Sequence, residues 1–148
     1  AGELASNLVE RLARDCQSTA DSEALTAQLQ HFVHDYSFIQ YAYVTDVKGH
    51  STAIAISDPG DQKGYKAFPI GFDYSNREWF LQPMRTGKLH ITNVHQSQVT
   101  GQLIITVSTV ITDANDEIIG VLGADIQLEE IIRGAESLEA EVPNSEEE

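Results

Sequence analysis

The chain opens with two stretches in which apolar residues recur at every third or fourth position. The residues of this pattern are Leu4, Leu8, Leu12 and Cys16 in the first stretch and Leu25, Leu29, Phe32 and Val33 in the second. Such spacing is typical of amphipathic helices, because it places the apolar side chains on one face. We therefore predict one long N-terminal helix, or two helices with a break near residues 18–21.

The pattern changes at residue 38 to β-branched and aromatic residues, which are typical of strands. They lie on both sides of a polar turn at residues 47–50, so we predict a β-hairpin over residues 39–57. A loop rich in glycine and proline follows. Residues 74–86 then have the character of a short helix, and Gly87 is placed to end it.

The rest of the chain alternates apolar segments with short polar turns. We predict strands over residues 89–95, 103–112 and 118–126, followed by a C-terminal helix over residues 127–140. Consecutive hairpins produce a mostly antiparallel sheet, and helices then pack on one face of it. The predicted fold class is α+β, with a five-stranded sheet, a long N-terminal helix, a short helix and a C-terminal helix.

Composition and charge limit the function classes. A length of 148 residues and a hydrophobic content of 41% fit one globular domain. The net charge of −14 argues against a general affinity for nucleic acid or anionic lipid. The last stretch is acidic and has no base, so we divide the chain into a helical segment (1–36), a domain body (37–134) and an acidic tail or linker (135–148).

The sequence has no recognisable motif for catalysis, cofactor binding or metal binding. Cys16 is the single cysteine, which excludes an internal disulfide, and the five histidines lack the spacing of a zinc site. Neither a serine-hydrolase elbow nor a phosphate-binding glycine loop is present. We therefore expect no enzymatic activity, no cofactor and no metal site. No apolar run approaches 18 residues, yet the chain starts within a helical pattern, as an excised segment of a longer membrane protein would.

The most unusual stretch of the chain is "GFDYSNREWF", residues 71–80, which places Arg77 among aromatic residues. These residues are Phe72, Tyr74, Trp79 and Phe80. An arginine fork holds a carboxylate through two hydrogen bonds, and rings around it exclude water. This combination is typical of a small-molecule site. The alternative is that Arg77 pairs with Asp73 or Glu78 at the surface while the rings fill the core.

Asp125 ends the apolar run "IIGVLGAD", where a carboxylate without a partner is unfavourable. It is therefore a second candidate for ligand binding. The alternative is a helix N-cap, because aspartate is favoured at that position and a helical pattern follows. If Arg77 and Asp125 face one cavity, the pair suits a zwitterion or an amine.

The order of these segments resembles that of Cache domains, the PAS-like extracytoplasmic sensor modules of bacterial chemoreceptors, sensor kinases and diguanylate cyclases. The resemblance rests on "FDYSNREWF" and on "TGKLHITNVHQSQVTGQLIITVSTVITDANDEIIGVLGADIQL", and it covers about residues 40–128. It implies a single-Cache domain with a PAS-like sheet and a short helix over the ligand face. It also implies a periplasmic location, flanking transmembrane helices and a homodimer formed through the N-terminal helix.

Residue by residue, the resemblance implies that Arg77 and Trp79 hold a carboxylate and that Asp125 holds an amine. Tyrosine is common in the family where Phe72 and Phe80 stand here, and another tyrosine is expected near His95. These departures remove hydroxyl donors and leave open a different carboxylate or amine, or a ligand that contacts His95. The candidate ligand-binding residues are Arg77, Trp79, Asp125, Phe72, Tyr74, Phe80 and His95.

The leading hypothesis is a sensor domain that binds a small carboxylate- or amine-bearing metabolite and passes a signal through its terminal helices. A structural dimerisation module without a ligand is the first alternative, in which the rings belong to the core. A divalent-cation sensor is the second alternative, because the acidic excess attracts cations.

Overall fold

The computed structural model describes residues 2–16, 22–58, 66, 69–97 and 101–128. The described helices are α1 (Gly2–Cys16), α2 (Ser22–Asp35) and α3 (Glu78–Thr86). The described strands are β1 (Ile39–Thr45), β2 (Ser51–Ile56), β3 (His90–Ile91), β4 (His95–Gln96), β5 (Leu103–Thr112) and β6 (Ile118–Gln127). The predicted C-terminal helix beyond residue 128, the acidic tail and most of the glycine-rich loop lie outside the described residues.

The strands form one antiparallel sheet in the order β2-β1-β6-β5-β3, and β4 also pairs with β5. The predicted α+β class and antiparallel sheet are therefore confirmed. The described part of the chain has six strands rather than five, because two very short strands replace one predicted strand.

The prediction of one strand over residues 89–95 is wrong, because the chain leaves the ladder between β3 and β4. The two short strands differ by one residue in their register against β5. Thr92 lies in the break, and its hydroxyl accepts a hydrogen bond from the Thr106 amide at 2.9 Å. A side chain thus takes the place of a backbone acceptor, which ends regular pairing and allows the chain to bulge.

Helices α1 and α2 cover one face of the sheet, where α1 packs on β5 and β6 and α2 packs on β1 and β2. The main core contains Leu8, Leu12, Cys16, Leu29, Val33, Ala42, Val44, Val107, Leu122 and Ala124. From Leu8 onward, the residues of the two apolar helix stripes that the sequence predicts are therefore buried. Because successive strand residues point to opposite faces, Tyr43, Thr106 and Asp125 point away from this core.

Helix α3 lies over the opposite face and contacts β5 and β6. It begins at Glu78 rather than at residue 74 as predicted, because the preceding residues bind the β1–β2 turn instead. The Tyr74 amide, for example, donates a hydrogen bond to the Gly49 carbonyl at 2.8 Å. The helix ends at Gly87, whose φ of +70° is the left-handed conformation expected of a glycine cap. Within the described ranges, no helix has both the length and the apolar character needed to cross a membrane.

Candidate functional site

A cavity of about 690 Å³ opens on the sheet face opposite α1 and α2. Its lining comprises Tyr43, Phe72, Tyr74, Arg77, Glu78, Trp79, Thr92, Asn93, His95, Gln96, Ser97, Ile104, Thr106 and Asp125. All the predicted site residues except Phe80 contribute to this lining. Phe80 instead is 5% exposed on the buried side of α3. The structure thus brings Arg77 and Asp125 to one cavity, and their binding of a ligand stays a prediction.

Asp125 lies in β6, between β1 and β5, and is 6% exposed. Its Oδ1 atom accepts hydrogen bonds from the Tyr43 hydroxyl at 2.7 Å and from the Thr106 hydroxyl at 2.9 Å. Burial raises the pKa of Asp125 above its ordinary value, against the lowering effect of these two donors and of the nearby His95. The N-cap alternative is wrong, because Asp125 is a paired strand residue with its carboxylate in the cavity wall.

The second carboxylate oxygen of Asp125 is available to a ligand. Both hydrogen bonds to this side chain end on Oδ1, and no described residue donates to Oδ2. Oδ2 is not among the described buried side-chain atoms that lack a hydrogen-bond partner, so it is accessible from the cavity, where a cationic or hydrogen-donating group can bind it.

Gly123 allows the Tyr43 hydroxyl to reach Asp125. The two residues lie opposite each other in the β1–β6 pair, and the Tyr43 ring lies over the glycine. A Cβ atom at position 123 would stand 2.5 Å from Cε2 of that ring. Burial and the neighbouring carboxylate raise the pKa of Tyr43 well above its ordinary value, so its hydroxyl keeps its proton and donates.

Arg77 stands just before α3, and its exposed side chain contributes to the cavity wall. Among the described residues, its guanidinium has neither an ion pair nor a hydrogen bond. The two acids considered as its partners bind elsewhere. Asp73 accepts a hydrogen bond from the Ser75 amide at 2.8 Å, and Glu78 pairs with His90 at 2.7 Å. The alternative in which Arg77 pairs with one of them is therefore wrong.

Four aromatic rings follow one another along the cavity, from Phe72 near Arg77 in the sequence to Tyr43, whose hydroxyl binds Asp125. Ring centroids are 4.8 Å apart for Phe72 and Tyr74, 5.4 Å for Tyr74 and Trp79, and 4.8 Å for Trp79 and Tyr43. Burial raises the pKa of Tyr74 to about 12, although the nearby guanidinium lowers it in part. These contacts hold the rings in place.

The wall opposite the rings is polar and comes from residues 92–97. It contains the side chains of Thr92, Asn93, His95 and Gln96. The Nδ1 atom of His95 donates to the Asn93 carbonyl at 2.9 Å, since a carbonyl oxygen has no proton of its own to donate. The break between β3 and β4 therefore gives the cavity a hydrogen-bonding wall.

Tyr43 and Thr106 are site residues that the sequence did not reveal. Each lies in an apolar strand, where the alternation of side chains indicates a face but not which polar neighbours share it. The available signal was a hydroxyl group within each apolar strand, that of Tyr43 in "QYAYVT" and that of Thr106 in "LIITVS". Both become visible as site residues only when β1 and β5 pair on either side of β6.

The described residues contain no group of three His, Cys, Asp or Glu side chains arranged to hold a metal ion. A second cavity, of about 550 Å³, lies between α1 and α2, and Arg11 crosses it to donate to the Tyr36 hydroxyl at 3.1 Å. None of the predicted site residues lies there.

A family comparison agrees with this geometry. Residues 22–133 match the family described as "Methyl-accepting chemotaxis protein-like, first PDC sensor domain". The chain belongs to this sensor-domain family. The resemblance to Cache-type sensor domains is thereby confirmed, while the single-Cache type stays a prediction.

Solved structures of chemoreceptor sensor domains share the fold. The ligand-binding domain of Pseudomonas fluorescens CtaA in complex with L-valine is 25% identical, with a TM-score of 0.67 over 88% of this chain and 55% of that one. Its complex with L-alanine is 26% identical, with a TM-score of 0.63 over 85% and 51%. Campylobacter jejuni Tlp3 in complex with 4-methylisoleucine is 19% identical, with a TM-score of 0.67 over 84% and 50%. This sensor domain thus spans about half of those chains.

Two curated relatives are similar to the sensor domain over a small part of their own length. A protein named citrate (Re)-synthase from Syntrophus aciditrophicus is 38% identical over 92% of this chain and 22% of its own. The chemotaxis protein McpA of Pseudomonas putida is 23% identical over 84% of this chain and 18% of its own. The chain spans about a fifth of either relative, so the synthase name assigns no activity to it.

Proposed function

We propose that this sensor domain binds an α-amino acid in the cavity between α3 and the sheet. A single observation carries the proposal. The same cavity contains the Arg77 guanidinium, which has no partner among the described residues, and the buried Asp125 carboxylate, which has one oxygen without a donor. An α-amino acid brings the opposite charge to each group.

Arg77 is suited to the α-carboxylate of such a ligand. Its planar guanidinium offers parallel N–H donors that match the two carboxylate oxygens. The Arg77 side chain is exposed, and the Trp79 and Tyr74 rings line the same cavity, so a carboxylate bound there would have apolar surface beside it that displaces part of its water.

Asp125 is suited to the α-ammonium group. Burial makes its ionised form unfavourable in the empty cavity, which is why its pKa is raised. An ammonium group against Oδ2 offsets that burial and lowers the pKa again. Ligand binding and ionisation of Asp125 are therefore coupled, and affinity falls when the carboxyl group is protonated.

The solved relatives support this choice of ligand. CtaA, which is 25–26% identical to this chain, is described in complex with L-valine and with L-alanine. L-valine and L-alanine have in common the α-carboxylate and the α-ammonium group. The proposed roles of Arg77 and Asp125 concern these two groups and no part of the amino-acid side chain.

The proposal includes a place for the domain in a larger receptor. The family name refers to methyl-accepting chemotaxis proteins, so we place the domain outside the cytoplasmic membrane, between transmembrane helices and in a homodimer formed through the N-terminal helix. Ligand binding would pull α3 toward the sheet and change the packing of the terminal helices, which carry the signal.

Calorimetric titration of the wild type and two arginine variants tests the ligand site. The titrants are L-valine and L-alanine, together with N-acetyl-L-valine and L-valine amide, which each lack one of the two charges. We expect the Arg77→Ala variant to weaken binding of the intact amino acids by about 30-fold or more, since a hydrogen bond to a charged group contributes about 1.5–3 kcal/mol.

The control is Arg85→Ala, which removes an exposed arginine of the same helix that binds Gln82 and does not line the cavity. It should bind like the wild type, and neither blocked ligand should bind well to any of the proteins. Equal affinity of Arg77→Ala and the wild type contradicts the proposed role of Arg77. If a broad set of amino acids produces no heat with the folded wild type, the ligand-free dimerisation module is the better description.

A further inference from the structure

The cavity has a polar wall that the charged groups of an amino acid do not use. Arg77 and Asp125 account for the α-carboxylate and the α-ammonium, but Asn93, His95 and Gln96 line the same space. Among the described residues, no side-chain or backbone group forms a hydrogen bond with the side-chain amides of Asn93 and Gln96. These amides have hydrogen-bonding capacity left for a ligand.

His95 has a defined hydrogen-bonding role in this wall. Its Nδ1 atom bears the proton that it donates to the Asn93 carbonyl, at 2.9 Å. In the neutral ring, Nε2 is then an acceptor, and no described residue donates to it. A ligand atom that donates a hydrogen bond fits this position, whereas a methyl group leaves the acceptor without a partner.

The register of the sheet places this acceptor within reach of the amino-acid side chain. His95 lies opposite Ile104 of β5, and Thr106, whose hydroxyl binds Asp125, is two residues further along the same strand and face. Two residues of a strand span about 7 Å. A ligand whose ammonium lies at Asp125 therefore extends a short side chain toward His95.

We infer that the ligand is an amino acid with a short, uncharged, hydrogen-donating side chain, and that His95, with Asn93 and Gln96, selects it over a branched aliphatic one. This inference rests on the proposed function and adds the class of side chain to it. The choice of an uncharged side chain follows from the residues of this wall: the Asn93 and Gln96 amides carry no charge, and Glu78, the other acid of the lining, is already paired with His90.

Two pairs of nearly isosteric ligands test the inference by calorimetry. L-threonine differs from L-valine, and L-asparagine from L-leucine, mainly in replacing apolar groups by hydrogen-bonding ones. Asn93, His95 and Gln96 are exposed, so water still solvates them beside an apolar ligand. We therefore expect the polar member of each pair to bind about three- to tenfold tighter, the contribution of a typical net hydrogen bond.

A histidine variant assigns the preference to its residue. We expect His95→Leu to bring the threonine-to-valine ratio to about one while keeping binding of both, since the α-groups still meet Arg77 and Asp125. His34→Leu, at an exposed histidine of α2 away from the cavity, is the matched control and should keep the wild-type ratio.

The outcomes separate this inference from the proposed function. If valine and leucine bind as well as or better than threonine and asparagine, and Arg77→Ala abolishes their binding, the proposed function stands and the side-chain class is wrong. An unchanged ratio in His95→Leu likewise overturns the role of His95. If no α-amino acid binds the folded wild type, the proposed function itself fails, and the side-chain class fails with it.

Discussion

A single buried carboxylate dominates the chemistry of the cavity at the scale of the residue. Asp125 is 6% exposed and has two hydroxyl donors, yet burial still raises its pKa. A group that is kept although it is unfavourable in the empty protein is typical of a binding site, where function and stability oppose each other. Arg77 of the same cavity differs, because its side chain is exposed and its charge remains hydrated.

We predict that Asp125→Asn stabilises the empty domain at neutral pH and abolishes amino-acid binding. Asparagine keeps an oxygen for the Tyr43 and Thr106 donors but removes the buried charge, so the free energy of unfolding should rise by about 1 kcal/mol. Chemical denaturation with and without L-valine measures both effects. A loss of stability in this variant would show that the carboxylate is a structural group.

The pH dependence of the same comparison follows from linkage. Because the pKa of Asp125 is raised in the folded state, its contribution to stability is fully present below the unfolded-state pKa and is lost as the pH rises through the folded-state value. The wild type therefore gains stability relative to Asp125→Asn as the pH falls through that window. Denaturation curves should show that Asp125→Asn exceeds the wild type in free energy of unfolding by less at pH 4 than at pH 7.

Gly123→Ala should disturb the site through the Tyr43 ring. A Cβ atom there would lie 2.5 Å from the ring, so the ring must move away from Asp125. We expect a loss of about 1–3 kcal/mol in the free energy of unfolding, as for other overpacked positions, and weaker ligand binding. Calorimetry in the Tyr43→Phe background, where the hydroxyl is already absent, should show a smaller effect of the glycine change on affinity. Equal effects in both backgrounds would mean that Gly123 acts independently of the tyrosine hydroxyl.

At the scale of the elements, the position of α3 depends on its two ends. The residues before it bind the β1–β2 turn through the Tyr74 amide, and the pair of Glu78 with His90 ties its first turn to β3. Its last turn ends at Gly87 in the left-handed region. Arg77 stands at the start of this helix, so the placement of α3 sets the placement of the guanidinium.

The glycine cap of α3 gives a test that does not involve the cavity. A Cβ at Gly87 meets no atom within 4 Å, so a substitution there acts through the backbone alone. We expect Gly87→Ala to lower the free energy of unfolding by about 1 kcal/mol, because alanine is strained at a φ of +70°. Gly87→Asn should lose less, since asparagine tolerates this conformation better. Thermal denaturation of both variants ranks them, and an equal loss would indicate that the left-handed cap is not the cause.

At the scale of the whole molecule, the sheet separates a face covered by α1 and α2 from a face that carries the cavity. Helices α1 and α2 use their apolar residues to cover one side, and α3 with residues 92–97 surrounds a cavity on the other. The face of α1 that remains exposed has polar residues, among them Asn7, Glu10 and Arg14. The proposed dimer through this helix would therefore be polar, and sedimentation analysis at several salt concentrations would detect it.

Cys16 provides a probe of how the whole domain opens. It is buried in the core between α1 and the sheet, and burial, with Asp15 nearby, raises its pKa to about 12. The thiol should therefore react with a disulfide reagent at pH 8 only when the protein unfolds. Asp125→Asn, if about 1 kcal/mol more stable, should slow labelling about fivefold. A rate unaffected by this distant change would show that α1 opens separately from the sheet.

The sequence alone predicted the elements that depend on local periodicity. The stripe of Leu8 and Leu12 indicated α1, the hydrophobic runs indicated β5 and β6, and Gly87 indicated where α3 ends. These features follow from spacing and backbone conformation, which are properties of neighbouring residues. Arg77 and Asp125 were also evident, because a charge beside rings or within an apolar run is unusual in any fold.

Only the tertiary structure decided what surrounds those charges. Pairing across β1, β6 and β5 gives Asp125 its two hydroxyl donors, and the pair of Glu78 with His90 leaves Arg77 without an acidic partner among the described residues. The hydroxyl of Thr92 splits a predicted strand and so builds the polar wall, and Phe80 faces the interior. Each of these contacts joins residues distant along the chain, and periodicity has no information about which distant side chains meet.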